Sequence, residues 1–71
     1  MNYYFIVGHD IGYNDLGLCR SKYTAMSECI RLSKLWNNGK TYYLYNQNDM
    51  KLASIKSCPN ATYKWITKND F

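Results

Sequence analysis

A chain of 71 residues, 46% hydrophobic and 20% charged, makes a single domain with a thin core, because so short a chain buries only about 60% of the surface it exposes when unfolded. This composition argues against intrinsic disorder, and no apolar run approaches the length needed to span a bilayer. Nine Lys and Arg against five Asp and Glu give a net charge of +4, a mild bias toward acidic partners with no basic cluster behind it.

Tyr3 to Val7 is aromatic and β-branched throughout, which predicts a strand that ends at Gly8. From His9 to Arg20 the chain carries Gly12, Gly17, Asn14, Asp10 and Asp15, a turn-forming composition read as a long loop or a short irregular hairpin arm. Ser21 is the expected N-cap of a helix over Lys22 to Asn37, which places Ala25, Met26, Cys29, Leu32, Ser33 and Trp36 on one face. Thr24, Ser27, Arg31 and Lys34 fall opposite, and Asn38-Gly39 supplies a left-handed stop.

Thr41 to Tyr45 predicts a second strand, Asn46 to Asp49 a turn, and Met50 to Ile55 a third strand, together a hairpin. Pro59 presets a turn within Ser57 to Asn60, after which Tyr63 to Thr67 reads as a short fourth strand. The order predicts an α+β domain over residues 1–71, a small antiparallel sheet of three to four strands with one helix packed on one face, β-α-β-β-β. The other face of the sheet is then uncovered.

Eight tyrosines with two tryptophans and two phenylalanines are more rings than so small a core can hide, and tyrosine tolerates water at its hydroxyl. Tyr4, Tyr42 and Tyr45, with Tyr13 and Tyr63 behind them, are the expected outward set. Alternation along a strand forbids Tyr42 and Tyr43, or Tyr3 and Tyr4, from sharing a face. Trp36 is expected in the core, whereas Trp65 is the ring to test at a surface. Lysines are spread through the C-terminal half at Lys51, Lys56, Lys64 and Lys68 with no acid from Lys51 to Lys68.

The signals for chemistry are weak. His9, Asp10 and Asp15 lack the ligand spacing of a calcium loop and read as turn caps beside a surface histidine. Cys19, Cys29 and Cys58 form no C-x-x-C pair and are odd in number, so reduced thiols in a cytoplasmic protein are expected, not zinc or a disulfide framework. A catalytic thiol would need the single His9 as base, and Cys29 belongs to the helix's apolar face. Gly39-Lys40-Thr41 resembles the end of a phosphate loop but follows a helix where that motif must precede one. No enzyme activity, metal or cofactor is expected. Residues Met1 to Gly8 are too short and too tyrosine-rich for a signal-peptide core, so neither secretion nor membrane association is expected.

The N-terminal strand, the glycine-rich segment, the serine-capped helix Ser21-Lys22-Tyr23-Thr24-Ala25 and the hairpin starting at Thr41 to Tyr45 together resemble small phage-encoded proteins. The layout is similar to that of some anti-CRISPR and other host-takeover inhibitors. The resemblance implies a protein that occupies a surface on a host complex; with net positive charge, it does not imply DNA mimicry. The expected function is therefore a non-enzymatic interaction protein, a phage-type inhibitor binding a host protein complex through Tyr4, Tyr42, Tyr45 and Trp65, rimmed by Lys51 and Lys64. The alternatives are a sequence-tolerant nucleic-acid binder that uses exposed tyrosines and lysines and a homodimeric structural module.

Overall fold

The computed structural model describes residues 1–66. Strands β1 (Asn2–Gly8), β2 (Gly12–Cys19), β3 (Thr41–Asn46), β4 (Lys51–Lys56) and β5 (Tyr63–Trp65) form one antiparallel sheet, and helix α1 (Lys22–Trp36) packs on one side of it. The strand order is β2-β1-β3-β4-β5. The α+β class therefore stands, with five strands in place of three or four.

The additional strand is β2, in the segment read as a long loop or a short irregular hairpin arm; it forms the second, a bulged hairpin arm paired with β1. Its glycines and its Asn-Asp pair are poor strand formers, and what holds them extended is pairing with β1 from Asn2↔Cys19 to Gly8↔Gly12. A turn closed by the Ile11 N–H donating to the Gly8 carbonyl joins the two strands. Gly12 at φ 61 and Gly17 at φ 80 take backbone positions that a side chain would strain. Thr67, assigned above to the last strand, and Lys68 lie outside the described residues.

The helix starts where Ser21 Oγ accepts the Thr24 N–H, and it ends at Trp36, one residue earlier than expected, capped by Asn37 in the left-handed conformation, φ 43, whose N–H donates to Ser33 O. Ser57 ties that end to the sheet. Its hydroxyl donates to Ser33 O at 2.7 Å and accepts the Asn38 N–H, while its backbone pairs with Gly39 and Lys40. The expected helix face is the buried one: Ala25, Met26, Cys29 and Ser33 lie inside, with Leu32 and Trp36 packed against the core.

Beneath the helix lie Tyr4, Ile6, Tyr42, Leu44 and Ile55, each 1% exposed or less. Tyr4 and Tyr42 are thus core residues, and the expectation that they face outward is corrected. Ile6 shares their side of the sheet by alternation, and Trp36 stacks on the Tyr42 ring with centroids 4.7 Å apart. The Tyr42 hydroxyl is still satisfied, donating to Asp10 Oδ2 at 3.0 Å and accepting from Asn38 Nδ2 at 2.7 Å, so a large ring is buried without an orphaned polar group. Gly8 is required for this packing, since a Cβ there would overlap the Tyr42 ring.

Two bulges adjust which side chains reach which face. In β4 the register passes from Leu44↔Ala53 to Tyr45↔Lys51, leaving Leu52 extra. Leu52 and Ala53 are both buried, at 1% and 0% exposure. The inserted residue turns Lys51 away from the helix; strict alternation from Ile55 would have driven it into the core. In β2 the register passes from Tyr4↔Gly17 to Phe5↔Asp15, and the extra Leu16 packs on the core while Asp15 points to the opposite side.

Candidate interaction surface

Among the described residues no helix covers the second face of the sheet, and the rings there form a chain. Tyr3 meets Phe5 at 5.5 Å between centroids, Phe5 meets Tyr13 at 5.9 Å, and Tyr13 meets Tyr45 at 5.6 Å. Their tilted and edge-on geometry is the arrangement aromatic quadrupoles favour. Tyr43 lies between Val7 and Ser54 in register, and Lys51 Nζ stands 4.3 Å above its ring, a cation–π contact. Tyr3, Phe5, Tyr43 and Tyr45 are half-buried, whereas Tyr13 is 55% exposed.

Two carboxylates are fixed within this aromatic surface. Asp15 accepts the Tyr3 hydroxyl at 2.6 Å through one oxygen and the Gly17 N–H at 2.6 Å through the other. Tyr13 leaves edge strand β2, crosses Phe5 and donates to Asp49 in the β3–β4 turn. That turn is organised by Asn46, whose side-chain oxygen accepts the Asn48 and Met50 N–H groups at 2.9 and 3.0 Å and whose carbonyl accepts the Asp49 N–H. The hydrogen bond to Asp49, followed by desolvation and the nearby negative charge, pushes the Tyr13 phenol up from 10.0 to about 12; Asp15 acts on Tyr3 in the same direction.

Charge is distributed unevenly across the face. Asp15 and Asp49 lie with the rings of β1, β2 and the lower end of β3, whereas Lys51, Lys56 and Lys64 stand on β4 and β5. At the end where β1 and β3 meet, Val7, Gly8, His9, Lys40, Thr41 and Tyr43 line an open depression of about 510 Å³. Lys40 is paired there with Asp10 at 3.3 Å. Desolvation acts against the Asp10 charge, but hydrogen bonds from Tyr42, its own backbone and Lys40 hold the carboxyl below its ordinary value.

Of the residues singled out from sequence, the structure brings Tyr45, Lys51, Lys64 and Tyr13 onto this face. Tyr4 and Tyr42 are excluded from it by burial. Trp65 is excluded as well: it pairs with fully buried Ala53 and so stands on the helix side, its ring 5.6 Å from Tyr23 with Lys22 Nζ at 5.3 Å. Tyr63 also lies on that side, opposite Ile55. Tyr3, Phe5 and Tyr43 were missed as surface residues, although alternation alone makes them the complement of Tyr4 and Tyr42. Which alternate is buried depends on pairing across β1 and β3, where Ile6↔Leu44 forms the central inward pair.

No group of three His, Cys, Asp or Glu among the described residues is arranged to hold a metal ion. The thiols are all free. Burial pushes Cys29 up to about 12, and desolvation also raises Cys19; hydrogen bonding led by the Thr62 backbone lowers Cys58. No helix among the described residues is long and apolar enough to cross a membrane. Comparison with protein-family models, curated proteins and solved structures finds no match to this chain.

Proposed function

We propose that the chain is a non-enzymatic interaction protein whose uncovered sheet face docks on a protein partner. The observation that carries the reading is the chain of ring contacts through Tyr3, Phe5, Tyr13 and Tyr45, with Tyr43 on the same face under Lys51, in which Asp15 and Asp49 are held by tyrosine hydroxyls. Rings already packed on one another lose little side-chain freedom on binding, a property of interaction hot spots. Docking of this kind would act by covering a surface on the partner, the mode that the resemblance to phage-encoded inhibitors implies.

A nucleic-acid reading is favoured by one observation, Lys51 over the Tyr43 ring with Lys56 and Lys64 on the neighbouring strands. The two fixed carboxylates oppose it, because a phosphate chain crossing the face would have to pass over them. The test is affinity capture of the tagged protein from a host lysate with nuclease and two salt concentrations, repeated with Tyr43→Ala plus Tyr45→Ala. Retention of one protein species through nuclease and moderate salt, lost in the ring variant, is expected. Recovery that disappears with nuclease would transfer the face to nucleic acid. A concentration-dependent mass with no second species would make the partner another copy of the chain.

A further inference from the structure

The corner of the uncovered face farthest from Asp15 is built differently from the aromatic surface. Thr41 pairs with Lys56 and Ser54 with Lys64, and the Lys56 N–H donates to Thr62 O at 2.7 Å. Thr41, Ser54, Lys56, Thr62 and Lys64 line an open depression of about 250 Å³, bordered by Tyr63, whose position in the strand faces the helix side. Every polar side chain in that lining can donate a hydrogen bond, two of them are cations, and none is a carboxylate. Among the described residues no acid pairs with Lys56 or Lys64; the ion pairs that are present join Arg31 to Glu28 and Lys40 to Asp10.

We propose that this corner is a carboxylate-binding subsite, filled by alternate Asp or Glu side chains of an extended acidic segment of the docking protein. The assignment rests on the protein-partner reading above and specifies that partner's chemistry. Lys56 and Lys64 are diagonal neighbours on adjacent strands, roughly 7–8 Å apart. Alternate side chains of an extended segment are about 6.6 Å apart, so two carboxylates on one side of such a segment match the spacing of the two lysine positions. The hydroxyls of Thr41, Ser54 and Thr62 provide donors for the remaining carboxylate oxygens, and such charge-assisted bonds are stronger than neutral ones.

The sign of the face selects protein over nucleic acid as the source of the anion. From Lys64 and Lys56 toward β2 the charge reverses at Asp49 and Asp15. A protein surface can reverse sign to match this, with carboxylates at one end and basic groups at the other; a phosphodiester chain cannot. Two lysines outside any described ion pair also give a polyanion little to hold.

The experiment uses the whole chain, isotope-labelled for amide NMR, with a labelled peptide of alternating glutamate and threonine as probe. The glutamine version of the peptide and an oligothymidylate are run at the same salt. The glutamate peptide is expected to shift the amides of Thr41, Ser54, Lys56, Thr62 and Lys64 and to bind about fivefold more weakly to Lys56→Gln plus Lys64→Gln, the effect of losing two exposed ion pairs. Both lysines are exposed, so the variant keeps its fold, which an unchanged melting midpoint verifies. No binding of the glutamate peptide, equal binding of the glutamine peptide, or shifts confined to other residues would overturn the subsite. Tighter binding of oligothymidylate would assign the corner to phosphate instead. The peptide assay does not involve the rings. Ring-dependent capture without peptide binding therefore removes the subsite alone, and peptide binding with capture indifferent to the rings removes the docking reading.

Discussion

The Tyr13 hydroxyl donates to the Asp49 carboxylate across 36 positions of sequence, closing edge strand β2 onto the β3–β4 turn with Phe5 beneath the ring. The bond holds only while the phenol keeps its proton. Because the folded-state value is raised from 10.0 to about 12, its contribution to stability is fully present below pH 10 and is lost as pH rises through the folded value. Absorbance titration of tyrosinate should show the Tyr13 phenol ionising near pH 12, with Tyr3 delayed in the same direction by Asp15. Asp49→Asn should return the Tyr13 phenol toward the ordinary range; a profile unchanged by the substitution would mean that the bond is not formed.

The two tyrosines of each adjacent pair should behave as different residues. Tyr42→Ala and Tyr4→Ala each empty a fully buried site and are expected to cost about 3–5 kcal/mol, most of the stability of so small a domain. Tyr43→Ala, on the half-buried face, should cost about 1 kcal/mol and leave the chain folded. Denaturant melts of the three variants check the order, and a larger loss for Tyr43 would reverse the assignment of faces.

Gly8→Ala should destabilise although Gly8, the last residue of β1, does not take a left-handed φ. The added methyl meets the Tyr42 ring, and overpacking of this kind costs about 1–3 kcal/mol. Pairing Gly8→Ala with Tyr42→Leu should recover part of the loss in a double-mutant cycle; additive effects would show that the two residues do not press on each other.

Alkylation should distinguish the three thiols. Cys58 is partly exposed and its value lowered by hydrogen bonding led by the Thr62 backbone, Cys19 is buried and raised by desolvation, and Cys29 is fully buried and raised to about 12. Mass spectrometry during iodoacetamide treatment of the native protein should record Cys58 first and Cys29 only on unfolding. Modification of Cys29 before Cys58 would contradict the packing of α1.

Local signals carried most of the architecture. The Ser21 cap, the apolar face from Ala25 to Trp36 and the Thr41 hairpin are strong short-range patterns, and each occurs where its residues indicate. Strand β2 was legible only as one of two alternatives, a hairpin arm beside a long loop, because Gly12, Asn14, Asp15 and Gly17 favour turns and are overruled by pairing with β1. Alternation established that one of Tyr42 and Tyr43 must be exposed, but the choice depends on nonlocal pairing and on a Gly8 that admits only the Tyr42 ring. Lys51 reaches the uncovered face because Leu52 is a bulge residue, a feature with no signature of its own in the sequence.

The most direct test of the docking surface compares two sets of exposed substitutions in one capture experiment under nuclease treatment. One set is Tyr43→Ala with Tyr45→Ala on the uncovered sheet face; the other is Arg31→Ala with Lys34→Ala on the solvent side of α1, both exposed. Loss of the captured partner with the sheet pair and its full retention with the helix pair is the predicted result. Retention by the sheet pair, or loss with the helix pair alone, would contradict the account and move the binding surface to the other side of the molecule.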